Sequence, residues 1–126
     1  MKFDLKNEGT FFSFPGESGG VSVRVCAGKD IDLINKRTKK VRFEYKKGQR
    51  FEITEVDNEL YQKLLWDFCI VSWIDVQDAE GNALPCTPEN KMLLMNSSNA
   101  FATFVTDALE KVDLAQQKVL EDESKN

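Results

Sequence analysis

The 126-residue chain is 41% hydrophobic and 30% charged, which excludes a disordered polymer and predicts one globular domain whose core needs neither disulfides nor a metal. A formal net charge of −4 and a pI near 4.9 argue against general affinity for nucleic acid. The absence of histidine removes the commonest general base and zinc ligand, and with them the base that activates a Ser or Cys nucleophile.

Residues 1–10 (MKFDLKNEGT) contain no apolar signal-peptide core, and no apolar run approaches a membrane span. A cytoplasmic protein with no membrane contact is expected. Cys26, Cys69 and Cys86 form neither a CxxC pair nor a disulfide framework, so they read as free thiols in a reducing compartment.

Two strands open the chain, at 10–14 and 21–26. Val21, Val23 and Val25 alternate with Ser22, Arg24 and Cys26, the period-two pattern of a half-buried strand. The turn-forming segment ProGlyGluSerGlyGly at 15–20 joins them. A short helix is expected over 30–38, with Ile31, Leu33 and Ile34 facing inward and Asp30 or Asp32 helping to cap it. A second hairpin follows, in which Val41, Phe43 and Tyr45 alternate with Arg42, Glu44 and Lys46 before a turn at 47–49. Phe51 and Ile53 alternate with charged or polar neighbours in its return strand. Each hairpin is expected to present one apolar face.

The second half reads as helical. Asp57 is a candidate N-cap, followed by an apolar stripe of Leu60, Tyr61, Leu64, Leu65, Phe68 and Val71. A turn is expected at 78–82. Thr87 then caps a short helix with Pro88 at its first position and Glu89 near the positive end of its dipole. Ser97 or Ser98 starts a longer helix with Phe101, Phe104, Val105, Ala108, Leu109, Val112 and Leu120 on one face. The fold class expected is α+β: a small antiparallel sheet from two N-terminal hairpins, packed against C-terminal helices. One domain covers residues 1–120, and 121–126 form a charged flexible tail.

No catalytic, cofactor or metal site emerges, so the chain is not expected to be an enzyme. Gly16–Gly20 satisfies the G-x-S-x-G pattern but lies between two strands with no histidine to serve it. Asp75, Asp78 and Glu80 precede Gly81 in a register that fails a calcium loop. Asp67 and Glu89 have no visible partner and read as surface and capping carboxylates.

Charge is unevenly spread. Residues 29–50 hold nine Lys or Arg against three Asp or Glu, which leaves −10 for the rest of the chain. Lys36, Arg37, Lys39, Lys40, Lys46, Lys47 and Arg50 fit a solvated face, a docking face for an acidic protein, or a nucleic-acid contact. The last wants exposed aromatics, whereas Phe43 and Tyr45 are expected in the core. The stripe carrying Phe101 and Phe104 is expected to be mostly core, with part left for a partner groove or a dimer seam.

The run from Leu64 to Met95 reads LLWDFCIVSW, then DAEGNALPCTPENK, then LLM after Met92. It resembles the tail assembly chaperones of tailed bacteriophages and prophages, small tail-module proteins. They carry a Trp after a helix, an Asp-rich turn with Gly, a Pro-x-Thr-x-Glu-Asn segment and a Leu-rich helix. Trp73, Gly81, Pro85, Thr87, Glu89 and Asn90 are the matching positions, followed by a Phe-rich helix and a Lys-Asn ending. The resemblance covers the second half of the chain. It implies a binding protein that keeps tail proteins, above all the tape measure protein, soluble until the tail tube assembles around it. Its implied partners are tape measure and tail tube proteins, with homo-oligomerisation open. The alternative is a nucleic-acid-binding accessory protein using the basic stretch at 36–50.

Overall fold

The computed structural model describes the backbone of residues 7–124 and the side chains of residues 7–115. In chain order the elements are β1 (Thr10–Ser13), β2 (Gly20–Val23), α1 (Gly28–Thr38), β3 (Lys39–Lys46), β4 (Gln49–Val56), α2 (Asn58–Cys69), β5 (Ile70–Ile74), α3 (Pro88–Ser97) and α4 (Asn99–Ser124). The architecture is α+β, as the alternation patterns imply.

The two hairpins enter different sheets. β1, β2 and β5 form an antiparallel sheet with β2 in the middle, while β3 and β4 form a separate two-stranded sheet. β2 opposes Phe12 with Val21 on one side and Val21 with Trp73 on the other. These side chains share one face, and α4 covers it. Val21, Val23, Ile70 and Val105 are wholly buried, and Phe101 and Ala108 nearly so. Phe12, Phe14, Trp73, Phe104, Leu109 and Val112 pack around them. The opposite face carries Ser22 and Ser72 and leaves Phe11 exposed, as expected of an antiparallel sheet packed on one side only.

β5 departs from the expected helical stripe. α2 ends at Cys69, and Ile70 closes it by donating its N–H to the Trp66 carbonyl. The chain then extends, because β2 has a free edge that Ile70–Ile74 fills. Val71, expected on the helix face, is a strand residue on the exposed side.

The segment matching G-x-S-x-G is the β1–β2 turn, in which Phe14 donates its N–H to the Gly19 carbonyl at 3.0 Å. Gly19 has φ +87°, and a Cβ there would lie 2.1 Å from the Ile74 carbonyl oxygen. Close approach to the Ile74 carbonyl and a positive φ therefore require glycine at this turn position.

α1 starts one turn-length earlier than its apolar pattern, and Asp30 caps it by accepting the Ala27 N–H at 3.2 Å. Ile34 is buried, but Ile31 and Leu33 are exposed, since α1 meets the body along a narrower face than expected. Ser98 joins α3 to α4: its N–H closes α3 on the Leu94 carbonyl and its Oγ accepts the Phe101 N–H. α4 is helical to Ser124, so the expected tail is helical to that point and residues 125–126 lie outside the described residues. The side chain of Leu120 also lies outside them.

Candidate partner-binding surface

The motif at Trp73–Asn90 folds into a compact clasp. Asp78 Oδ1 accepts the N–H groups of Glu80 and Asn82, each at 2.9 Å, and Gly81 takes a positive φ to close the turn. Those backbone donors, that of Asn82 foremost, hold the Asp78 carboxyl below its ordinary range. Trp73 Nε1 donates to the Leu84 carbonyl at 2.7 Å, and its ring meets Phe101 edge to face at 5.8 Å. Asn90 Nδ2 donates to the Pro85 carbonyl at 2.9 Å, while Thr87 Oγ1 accepts the Asn90 N–H. Pro88 stands in the first turn of α3. Glu89 lies 3.6 Å from Lys63 on α2. The residues of the motif thus tie β5, the loop and α3 together. The carboxylates Asp75, Asp78 and Glu80 gather no metal site, and no group of metal-ligating side chains occurs among the described residues.

Asp67 does have a partner. Lys91, almost fully buried, donates from Nζ to Asp67 Oδ1 at 2.9 Å and to the Asp67 carbonyl at 3.1 Å. The two are 24 residues apart in sequence, so no local pattern marks the pair.

Phe101 lies in the core against Trp73, and Phe104 is half-buried with its ring 4.9 Å from that of Phe14. Both aromatics are committed to internal packing.

The basic stretch sits on a projecting arm. Thr38 ends α1 with its Oγ1 hydrogen donated to the Ile34 carbonyl at 2.8 Å. At the same base, where the returning strand ends, Asp57 donates its N–H to the Thr38 carbonyl at 2.8 Å and caps α2 by accepting the Leu60 N–H. Lys40 lies 3.3 Å from the same carboxylate. The Leu60 N–H and then Lys40 hold Asp57 below the ordinary carboxyl range. Between these anchors run eight paired residues on each side, a ribbon about 26 Å long.

The ribbon turns at Lys47 and Gly48, both with positive φ (50° and 77°), the conformation favoured by two-residue hairpin loops. That turn sets Lys46 against Gln49, and hence Phe43 against Glu52, Tyr45 against Arg50 and Glu44 against Phe51. One face therefore carries Val41, Phe43, Tyr45 and Arg50, and the other Arg42, Phe51 and Ile53. The expected single apolar face is not formed. Phe43 and Tyr45, expected in the core, are 46% and 72% exposed, with Phe51 at 46% and Val41 at 53%. The reason is topological: among the described residues, no third strand joins β3 and β4 and no helix covers either face of the arm.

Basic residues fall into two groups along it. Lys36, Arg37, Lys39 and Lys40 surround its base, while Lys46, Lys47 and Arg50 stand at the tip, about 20 Å away. Between them Arg42 is held by Glu55, at 2.7 Å, and by Glu44; these partners, Glu55 first, raise its pKa further. Arg50 stacks its guanidinium over the Phe43 ring at 3.8 Å. From Tyr45 to Phe51 there is no acidic residue. The tip is thus aromatic and positive on a net negative chain.

The arm lies within the part of the chain that comparison with known families identifies. No curated protein and no solved structure was found to match the chain. The family model described as YdaY prophage protein matches residues 29–126, from α1 through α4, and the chain belongs to that prophage family.

Proposed function

We propose that this prophage protein is a tail assembly chaperone, acting by binding and carrying out no catalysis. The observation that supports it most is the arm: large apolar side chains exposed on both faces and bordered by charge. Contiguous exposed apolar surface with a polar rim is the usual form of a protein-binding site. The resemblance at Trp73–Asn90 supplies the tail-module context, and prophage membership is consistent with it. Its clients are the tape measure protein and other tail proteins, whose apolar helical segments aggregate until the tail forms. It works in the host cytoplasm without a cofactor; no described helix is long and apolar enough to cross a membrane.

Co-expression with the tape measure and tail tube proteins of the same gene cluster tests this reading. The soluble fraction of a client should rise with the wild-type chain and fall back with Phe43→Ser/Tyr45→Ser. Unchanged client solubility would sink it.

Exposure of Phe43, Tyr45 and Phe51 beside Lys46, Lys47 and Arg50 favours a second reading, single-stranded nucleic-acid binding, in which aromatics stack bases and cations track the backbone. It predicts an oligonucleotide mobility shift that fades steeply with salt.

A further inference from the structure

A two-stranded ribbon is marginally stable alone, and this one leaves Val41, Phe43, Tyr45 and Phe51 46–72% exposed. Its tip joins those apolar side chains to Lys46, Lys47 and Arg50 with no acid from 45 to 51. A surface of complementary character exists elsewhere on the molecule. Between the end of β2, the C-terminal half of α2 and the middle of α4 runs an open groove lined by Val25, Leu65, Trp66 and Leu109, with the carboxylates of Glu110 and Asp113 on its α4 side. The arm of the same chain is not seated there, as the exposure of Tyr45 shows.

We propose that in the free protein the arm tip of one copy docks in the β2–α2–α4 groove of a second copy. The tip aromatics cover Leu65, Trp66 and Leu109, and Lys46 and Lys47 face the Glu110 side. Both partners of the contact then lose exposed apolar surface, which is the main drive for association. Opposite charges fix the orientation and disfavour arm-to-arm pairing, where the tip lysines would repel. Self-association does not depend on the chaperone reading. If that reading holds, the docked arm is covered until a client displaces it.

Sedimentation of the full chain across the micromolar range is the test. The wild type should move from monomer to a self-associated form with rising concentration, and less so in high salt. Lys46→Glu/Lys47→Glu should weaken association by about tenfold or more, as should Glu110→Lys. Mixing the two variants should restore association, because each then supplies what the other lost. All three side chains are exposed, so the variants should fold. A wild-type chain that stays monomeric throughout overturns the proposal, and so does a mixture that associates no better than its components. If the wild-type chain stays monomeric throughout and arm mutation abolishes client solubilisation or oligonucleotide binding, the tip belongs to that ligand alone and the proposal falls. Failure of client solubilisation with association intact removes only the chaperone reading.

Discussion

Phe43 and Phe51 project from opposite faces of the same two-stranded ribbon, because Phe43 pairs with Glu52 and Phe51 with Glu44. A pairing shifted by one residue, with Lys46 against Arg50 around a three-residue loop, would instead gather Val41, Phe43, Tyr45, Phe51 and Ile53 on one side. The left-handed pair Lys47–Gly48 selects the observed register. Replacing Gly48 (φ 77°) with valine should therefore destabilise the arm by about 1–2 kcal/mol. Amide hydrogen exchange should quicken across residues 39–56 and stay unchanged in β1, β2 and β5. Uniform acceleration throughout the chain would show that the arm is not an independent local unit.

The ion pair between Lys91 and Asp67 is asymmetric, since the lysine is buried and the aspartate is 41% exposed. Asp67→Ala leaves a buried ammonium with one carbonyl acceptor and should cost about 2–3 kcal/mol in urea unfolding. Lys91→Met keeps the apolar stem and leaves a carboxylate that water can solvate, so its cost should be smaller. The reverse order would mean that Lys91 contributes through packing rather than charge.

How far the sequence reveals this molecule depends on how local each cause is. Val21–Val25 show their strand by alternation, and Thr87–Pro88 mark their helix start, because cap and pattern act within a few residues. β5 is hidden, since Ile70–Ile74 extend only to fill the edge of β2, some fifty residues earlier. Lys91 and Asp67 find each other across α2 and α3 for the same non-local reason. Phe43 and Tyr45 show the alternation of a buried strand, but alternation reports a sheet face and cannot report whether anything packs upon it. The basic residues at 36–50 are visible as a cluster in sequence, whereas their separation into base and tip follows from the length of the ribbon.

Acid should destabilise the protein through its carboxylate caps. Asp57 and Asp78 both have folded-state pKa values depressed below the ordinary 3.8, chiefly by backbone N–H donors. A depressed carboxyl contributes stability that is present above its unfolded pKa and lost as pH falls through its folded pKa. The loss should thus begin near pH 4 and deepen below it. Asp57→Asn should flatten the part of that slope due to this cap. A slope identical to that of the wild type would remove Asp57 as a contributor.

Thiol chemistry should follow burial. Cys69 is buried and its pKa is pushed up to about 11, first by desolvation and next by the neighbouring Cys26. Cys26 and Cys86 are half-buried and raised for the same leading reason. Against an ordinary value of 9.0, Cys69 should carry about a hundredfold less thiolate at pH 8 than a peptide cysteine. Disulfide reagents should modify Cys69 last and at a rate that denaturant accelerates. Fast labelling of Cys69 in the native protein would show that α2 and β2 part readily at that position.

Trp73 offers the sharpest test of the clasp at Trp73–Asn90. Its indole N–H donates to the Leu84 carbonyl at 2.7 Å while its ring packs on Phe101. Trp73→Phe keeps an aromatic ring but leaves that carbonyl without its donor, which should cost about 1–2 kcal/mol. The Gln77–Ala83 bridge should then exchange faster, because the loop beyond it loses its tie to β5. The cap at Thr87 is made by Asn90 and anchored on Pro85, so α3 should keep its protection. If α3 and the loop lose protection together, the clasp acts as one unit and Trp73 holds the helix start as well. Protection unchanged in both would mean that ring packing alone positions the segment.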